Sequence, residues 1–179
     1  MNNQMKAGLV HLYCGEGKGK TTASMGLIAR ALGHQYRVLL VQFLKDGNSG
    51  ELVSLRRLPG FDVLAGQITG KFSIAMTSEE KEATRALHLS FFHDAIKRVE
   101  EAQVDMLVLD EVLGAIECNM MDENELLAFL DARPPSLEVV LTGRHATTQV
   151  MARADYISRI ECVRHPYERG VLARAGIEY

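Results

Sequence analysis

The stretch that most constrains this chain is "LVHLYCGEGKGKTTASMGLIARAL", residues 9–32. A continuous apolar run enters a loop in which Gly15, Gly17 and Gly19 alternate with Glu16 and Lys18, and Lys20, Thr21 and Thr22 then open an apolar helical pattern. Strand, glycine-rich turn and helix in that order let backbone N–H groups point inward on an anion, and the helix N-terminus adds positive potential. In such a loop Lys20 can bridge outer phosphate oxygens, and Thr21 can offer its hydroxyl to Mg²⁺ (or Mn²⁺). Lys18 either adds charge against a triphosphate or is simply solvated. Against the pattern G-x-x-x-x-G-K-[ST], the position five before Gly19 is Cys14, so the first glycine is missing. The competing reading is a tight turn with incidental lysines, but strand and helix flank this one as a phosphate loop requires.

The 179 residues suit one domain, 1–179, since roughly 100–200 residues per domain is usual. Hydrophobic residues at 47% and charged residues at 24% are those of an ordinary globular chain. The start "MNNQMKAGLV" has no apolar stretch of signal-peptide length, and no run approaches the roughly 18 apolar residues of a spanning helix. The expectation is a cytoplasmic protein with no membrane partner. A net charge of −3 without a dense Lys/Arg run argues against a nucleic-acid partner. Cys14, Cys118 and Cys162 are too scattered for a disulfide framework or a C-x-x-C pair.

Apolar runs at 9–14, 37–43, 106–110, 137–143 and 156–162 read as strands, near-continuous in Val, Leu and Ile as in a sheet covered on both faces. Helical patterns lie between them. The first runs to about Leu32, with Gly33 as a left-handed stop. A second follows the T-x-x-E box of Thr77 and Glu80, with Ala83, Leu87, Phe91, Ala95 and Val99 as its buried stripe. Asp122 and Glu125 repeat the cap spacing before "LLAFL", and Pro134-Pro135 ends that helix. Residues 44–76 read as flexible loops or ordinary surface connection. The expected fold is α/β, a P-loop NTPase-like (RecA-like) domain whose mostly parallel sheet carries helices on both faces. Ligands in such sheets sit at the carboxyl ends of the strands.

Two further signals fall at such ends. "DMLVLDEV" closes a strand on Asp110-Glu111, where the carboxylates can hold Mg²⁺ directly or through water, or merely cap a corner. "VVLTGRHA" closes another on Arg144, whose planar fork can reach a phosphate or ribose or form a surface salt bridge. His11, His88, His93 and His145 have no partner at metal-ligand spacing and read as structural or solvated.

With these pieces in order, the chain resembles the P-loop ATP:corrinoid adenosyltransferases. The resemblance covers almost the whole sequence and rests on the double-lysine loop "GEGKGKTT", the "QFLK" after the second strand, "VDMLVLDE", "VVLTGR" and the ending "HPYERGVLARAGIEY". The position of Cys14 is commonly not glycine in that family. The resemblance implies transfer of the 5′-deoxyadenosyl group of ATP to the Co(I) centre of a reduced corrinoid such as cobalamin, with release of triphosphate, in adenosylcobalamin synthesis or salvage. It implies catalytic roles for Lys20, Thr21 and Glu111, metal contacts from Thr21, Asp110 and Glu111, and substrate contacts from Gly15 to Thr22, Arg144 and Phe72. It also implies a homodimer. Because Co(I) is already a strong nucleophile, Asp110 and Glu111 are assigned to the metal and none to a water.

The chain departs from the family in the loop after "QFLK", which is the short "KDGNSGE" without the tryptophan many members carry there, and at two single positions. Ile74 stands where a tryptophan usually pairs with the aromatic at Phe72 to press on the lower face of the corrin, and His145 stands where glycine or asparagine is usual. The cobalt-ligating pattern D-x-H-x-x-G of corrinoid carriers is absent. With neither paired cysteines nor a flavin motif, the electron for Co(II) is expected from outside, from a flavodoxin or flavin reductase. A P-loop ATPase or kinase of another kind, and a non-catalytic binder on the same fold, are the competing classes.

Overall fold

The computed structural model describes residues 7–67, 69–71 and 73–178. Six strands, β1 (Val10–Cys14), β2 (Val38–Gln42), β3 (Phe61–Ala65), β4 (Met106–Asp110), β5 (Glu138–Thr142) and β6 (Tyr156–Arg159), form one sheet in the order β3-β2-β4-β5-β1-β6. Every pairing is parallel. Side chains alternate across a strand, so each apolar run feeds two layers. Leu12, Leu39, Val41, Leu107, Leu109, Val139 and Leu141 pack on one face with Phe92, Leu126 and Phe129. Leu40, Val108 and Val140 pack on the other with Met25, Ile28 and Leu52. The expected α/β architecture with helices on both faces is what the chain adopts.

The helices are α1 (Lys20–Gly33), α2 (Gly50–Leu55), α3 (Ser78–Glu100), α4 (Val112–Glu117), α5 (Glu123–Ala132) and α6 (Thr148–Met151). The Thr77–Glu80 capping box at α3 forms as expected, each side chain meeting the other's backbone N–H. Its buried stripe is displaced from the expected one: Thr84, His88 and Phe92 are buried along with Ala95 and Val99, while Ala83, Leu87 and Phe91 flank them. Two polar residues on the inward face hid the true period. At α5 Asp122 accepts from the Asn124 N–H, but Glu125 pairs outward with His93 at 2.6 Å instead of completing a box. Arg133 is extended at φ −57° and ψ 149°, as a residue before proline must be, and the helix stops there.

Gly33 ends α1 but is itself the last helical residue; the left-handed turn falls to Gln35 at φ 63°. Where loops or surface connection were expected after residue 44, the chain carries α2 and the edge strand β3. Among the described residues no helix is long and apolar enough to cross a membrane.

Candidate active site

The carboxyl ends of β1, β4 and β5 lie side by side, and Lys20, Thr21, Asp110, Glu111 and Arg144 lie at them or follow from them. β1 stays extended through Cys14, which is buried in the core and paired in register with Arg159. No glycine is needed at that position. The left-handed turn comes one residue later, at Gly15 (φ 104°), and again at Gly19 (φ 123°), from which α1 starts. The Gly15 N–H donates to Arg144 O and the Gly17 N–H to Ile160 O, both at 2.8 Å. A Cβ on Gly15 would sit 2.5 Å from Ile160 O, and one on Gly17 2.6 Å from Glu161 O. Glycine is therefore demanded by the backbone that follows β6, which holds the loop from outside.

Among the described residues the N–H groups of Lys18 to Thr22 donate to no protein carbonyl, the usual condition of a helix start. Lys20 is nearly buried, and its Nζ donates to Gly15 O at 2.7 Å and Gly17 O at 2.8 Å. The ammonium thus lies inside the loop, on the side where these N–H groups begin the helix. Lys18 is exposed and reaches Ile177 O at 3.3 Å.

Asp110 is fully buried, and four donors converge on it. Oδ1 accepts from Thr21 Oγ1 at 3.0 Å and Thr142 Oγ1 at 2.8 Å; Oδ2 accepts from Lys45 Nζ at 2.6 Å and Gln42 Nε2 at 3.2 Å. Register explains the meeting, since Gln42 is opposite Asp110 across β2 and β4, and Thr142 ends the strand between β4 and β1. Thr142 Oγ1 also accepts from the Glu111 N–H at 2.8 Å. Glu111 sits left-handed at φ 62°, an uncommon posture for a residue with a Cβ. Burial, and then the neighbouring Asp110 carboxylate, hold its pKa above the ordinary glutamate value, against the fields of Lys45, Lys20 and Arg144.

Arg144 meets Glu16 of the loop at 3.5 Å, and His145 bridges Glu16 at 3.0 Å and Glu117 at 3.2 Å, all well exposed. Arg144 therefore forms a surface ion pair, one of its two expected readings, with a residue of the glycine-rich loop itself. Thr22 is exposed beside Thr21 on the wall of a cleft of about 1160 Å³, which Gln42, Lys45, Lys71 and Glu178 also line. Phe72 lies outside the described residues. Ile74, in the 3-10 turn Ser73–Ala75, is 96% exposed.

Sequence reasoning missed Lys45, Gln42 and Thr142 as partners of Asp110. The signal for the first two was the "QFLK" segment, and for the third the "TGR" segment. Thr21, Asp110 and Glu111 offer an oxygen-only donor set, and Gln42 Oε1 is buried with no hydrogen-bond partner among the described residues. That chemistry suits a hard divalent cation completed by phosphate oxygens and water. Among the described residues no group of three His, Cys, Asp or Glu side chains forms a self-sufficient metal cage.

Residues 6–179 match the family described as ATP:corrinoid adenosyltransferase BtuR/CobO/CobP. The chain is 32% identical to the corrinoid adenosyltransferase CobA of Salmonella typhimurium, over 98% of its own length and 88% of that protein's. It is 30% identical to the corrinoid adenosyltransferase of Pseudomonas aeruginosa, over 96% of this chain and 84% of that one, and 30% identical to that of Escherichia coli K12. Among solved structures, the cytoplasmic domain of EssC superposes with a TM-score of 0.50 at 15% identity, covering 96% of this chain and 36% of that one, which bears on the fold alone. The phosphate loop, the strand-end carboxylates and the family match over nearly the whole length agree, and the chain belongs to the ATP:corrinoid adenosyltransferases.

Proposed function

We propose that the adenosyl transfer of this family runs at the carboxyl edge of the sheet, with the triphosphate of ATP seated on Gly15 to Thr22 and the corrinoid reached through the adjoining cleft. The observation that carries this reading is the meeting of loop and carboxylate: Thr21 Oγ1 is 3.0 Å from Asp110 Oδ1, beside the buried Lys20 ammonium. The electron pair of Co(I) attacks C5′ of the ribose, the cobalt–carbon bond forms, and the C5′–O bond breaks with its electrons leaving on triphosphate. Charge therefore develops on the whole triphosphate. Fixed donors aimed at that charge are the useful catalytic device, each key donor contributing about 3–4 kcal/mol.

Lys20 and the N–H groups of the first helical turn supply that field. Thr21, Asp110 and Glu111 would hold a Mg²⁺ or Mn²⁺, which when bound would neutralise phosphate charge. No proton needs to be removed from the nucleophile, so Glu111 serves the metal and not a water. Arg144, tied to Glu16, is the proposed contact to the nucleotide once that exposed pair opens. Phe72 is assigned to the corrin face, with Ile74 two residues on in the sequence in place of the family's tryptophan. The electron for Co(II) comes from a flavodoxin or flavin reductase, and the enzyme works as a single-domain homodimer in the cytoplasm, in synthesis or salvage of adenosylcobalamin.

An anaerobic assay with ATP, Mg²⁺ and chemically reduced cobalamin tests the reading. Light-sensitive adenosylated product and triphosphate should appear in equal amounts. Steady ADP or phosphate without alkylated cobalt would make the chain a hydrolase or kinase, and nucleotide binding without turnover would make it a binder.

A further inference from the structure

Lys45 has no part in the roles above, yet it sits at their centre. Its Nζ lies 2.6 Å from Asp110 Oδ2 and 3.2 Å from Thr21 Oγ1. The Asp110 side chain has no exposed surface, whereas the lysine is 29% exposed and lines the cleft. The ammonium therefore stands between the buried carboxylate and the open side of the site.

The backbone is shaped to put it there. Leu44, the residue before it, is left-handed at φ 58°, a posture that costs a side-chain-bearing residue free energy unless its surroundings fix it. Both sides of Leu44 are fixed: its N–H donates to His88 Nε2 at 3.2 Å, and its carbonyl accepts from Gln67 Nε2 at 2.8 Å. His88 is fully buried on α3, with Nδ1 3.3 Å from Met120 O. Burial keeps its pKa below the ordinary histidine value, so the neutral ring can accept at Nε2.

A carboxylate offers about four lone-pair positions. Thr21, Thr142, Gln42 and Lys45 supply four donors to Asp110. A divalent cation can therefore coordinate Asp110 directly only by displacing a donor. Thr142 and Gln42 are fully buried, and Thr21 is held at the first turn of α1. Lys45 alone is a partly exposed, compact charge on a flexible four-carbon stem, able to swing.

We propose that Lys45 is a tethered counter-ion: it neutralises Asp110 until a divalent cation takes that place, then moves to the triphosphate as a binding residue for the leaving group. The inference rests on the triphosphate lying in the Gly15–Thr22 loop, and its test needs neither corrinoid nor turnover.

The probes are inorganic triphosphate with Mg²⁺, followed by calorimetry, and Mn²⁺ alone, followed by the paramagnetic resonance of the free ion. The proteins are the full chain, Lys45→Met and Lys45→Arg, with thermal melts to establish folding and Lys45→Gln as the alternative where Met does not fold. The neutral variant should bind triphosphate roughly tenfold or more weakly, the usual size of one lost charge-assisted contact. It should bind Mn²⁺ alone several-fold more tightly, because the carboxylate is freed. Lys45→Arg should stay close to the parent in triphosphate affinity. Unchanged triphosphate affinity in the folded neutral variant, or Mn²⁺ affinity equal to or below the parent's, overturns the assignment. Failure of the parent protein to bind triphosphate would instead overturn the reading of the loop on which it rests.

Discussion

Lys20 and Glu111 show how much a single residue's surroundings decide its role. Among the described residues Lys20 Nζ bonds only to carbonyls of its own loop, Gly15 and Gly17, so its proposed role is at the phosphate site and not in the core. Lys20→Ala should leave the fold intact and reduce adenosyl transfer by about 10²–10³-fold, the usual cost of one key charge-stabilising donor; near-normal transfer in a folded variant would refute the assignment. For Glu111 the sign follows from linkage. Its folded pKa is raised by burial and by Asp110, so between the unfolded and folded values the native state keeps a proton that the unfolded chain releases. Stability therefore falls as pH rises through that window and stays lower above it. Glu111→Gln should raise Tm at neutral pH, with the gap shrinking towards zero as pH falls to about 4, near the ordinary glutamate value. Melts showing the same gap at both pH values would contradict the cause given. Lys20, Thr21, Asp110 and Glu111 were legible because motif spacing places them at a loop and a strand end. Gln42 and Thr142 were not, because their meeting with Asp110 depends on strand register between distant segments.

Among the elements, β1, β2, β4 and β5 could be read as apolar runs because central parallel strands are buried by both layers, and β6, an exposed edge, was read from its Tyr156, Ile157 and Ile160 alone. β3 escaped notice because it is an edge strand, with Asp62 exposed and no fully buried residue. The short helix α4 follows the left-handed Glu111 inside an apolar run too short to distinguish from strand by periodicity. The glycine-rich loop was visible, but the reason for its glycines was not, since the backbone that excludes a Cβ comes from residues 160–161 beyond β6. Gly17→Ala tests that packing. Its Cβ would meet the Glu161 carbonyl, which is backbone and cannot yield cheaply, so the variant should lose about 1–3 kcal/mol. At this chain length that is a Tm drop of roughly 2–4 °C per kcal/mol. A melt indistinguishable from the parent's would mean the loop is not held by that strand end.

The molecule as a whole is asymmetric about its sheet. The β3 side carries α2, whereas β6 at the opposite edge is exposed at all four residues, Tyr156 and Ile157 included, and Val163, Tyr167 and Leu172 beyond it are exposed as well. An uncovered parallel edge with apolar side chains invites a partner. The homodimer proposed above would pack through this side; sedimentation should then give twice the 19.8 kDa chain mass, and Ile157→Lys should shift it towards one chain. A single-chain mass for the parent would contradict this. The central claim concerns which bond of ATP breaks, and ATP labelled with ¹⁸O at the 5′ bridging oxygen tests it most directly. In a turnover with reduced cobalamin, attack at C5′ predicts that all the label leaves in triphosphate and none remains with the adenosyl group. Label retained on a nucleotide product, with phosphate released unlabelled, would mean that the loop cleaves between phosphates and that the account is wrong.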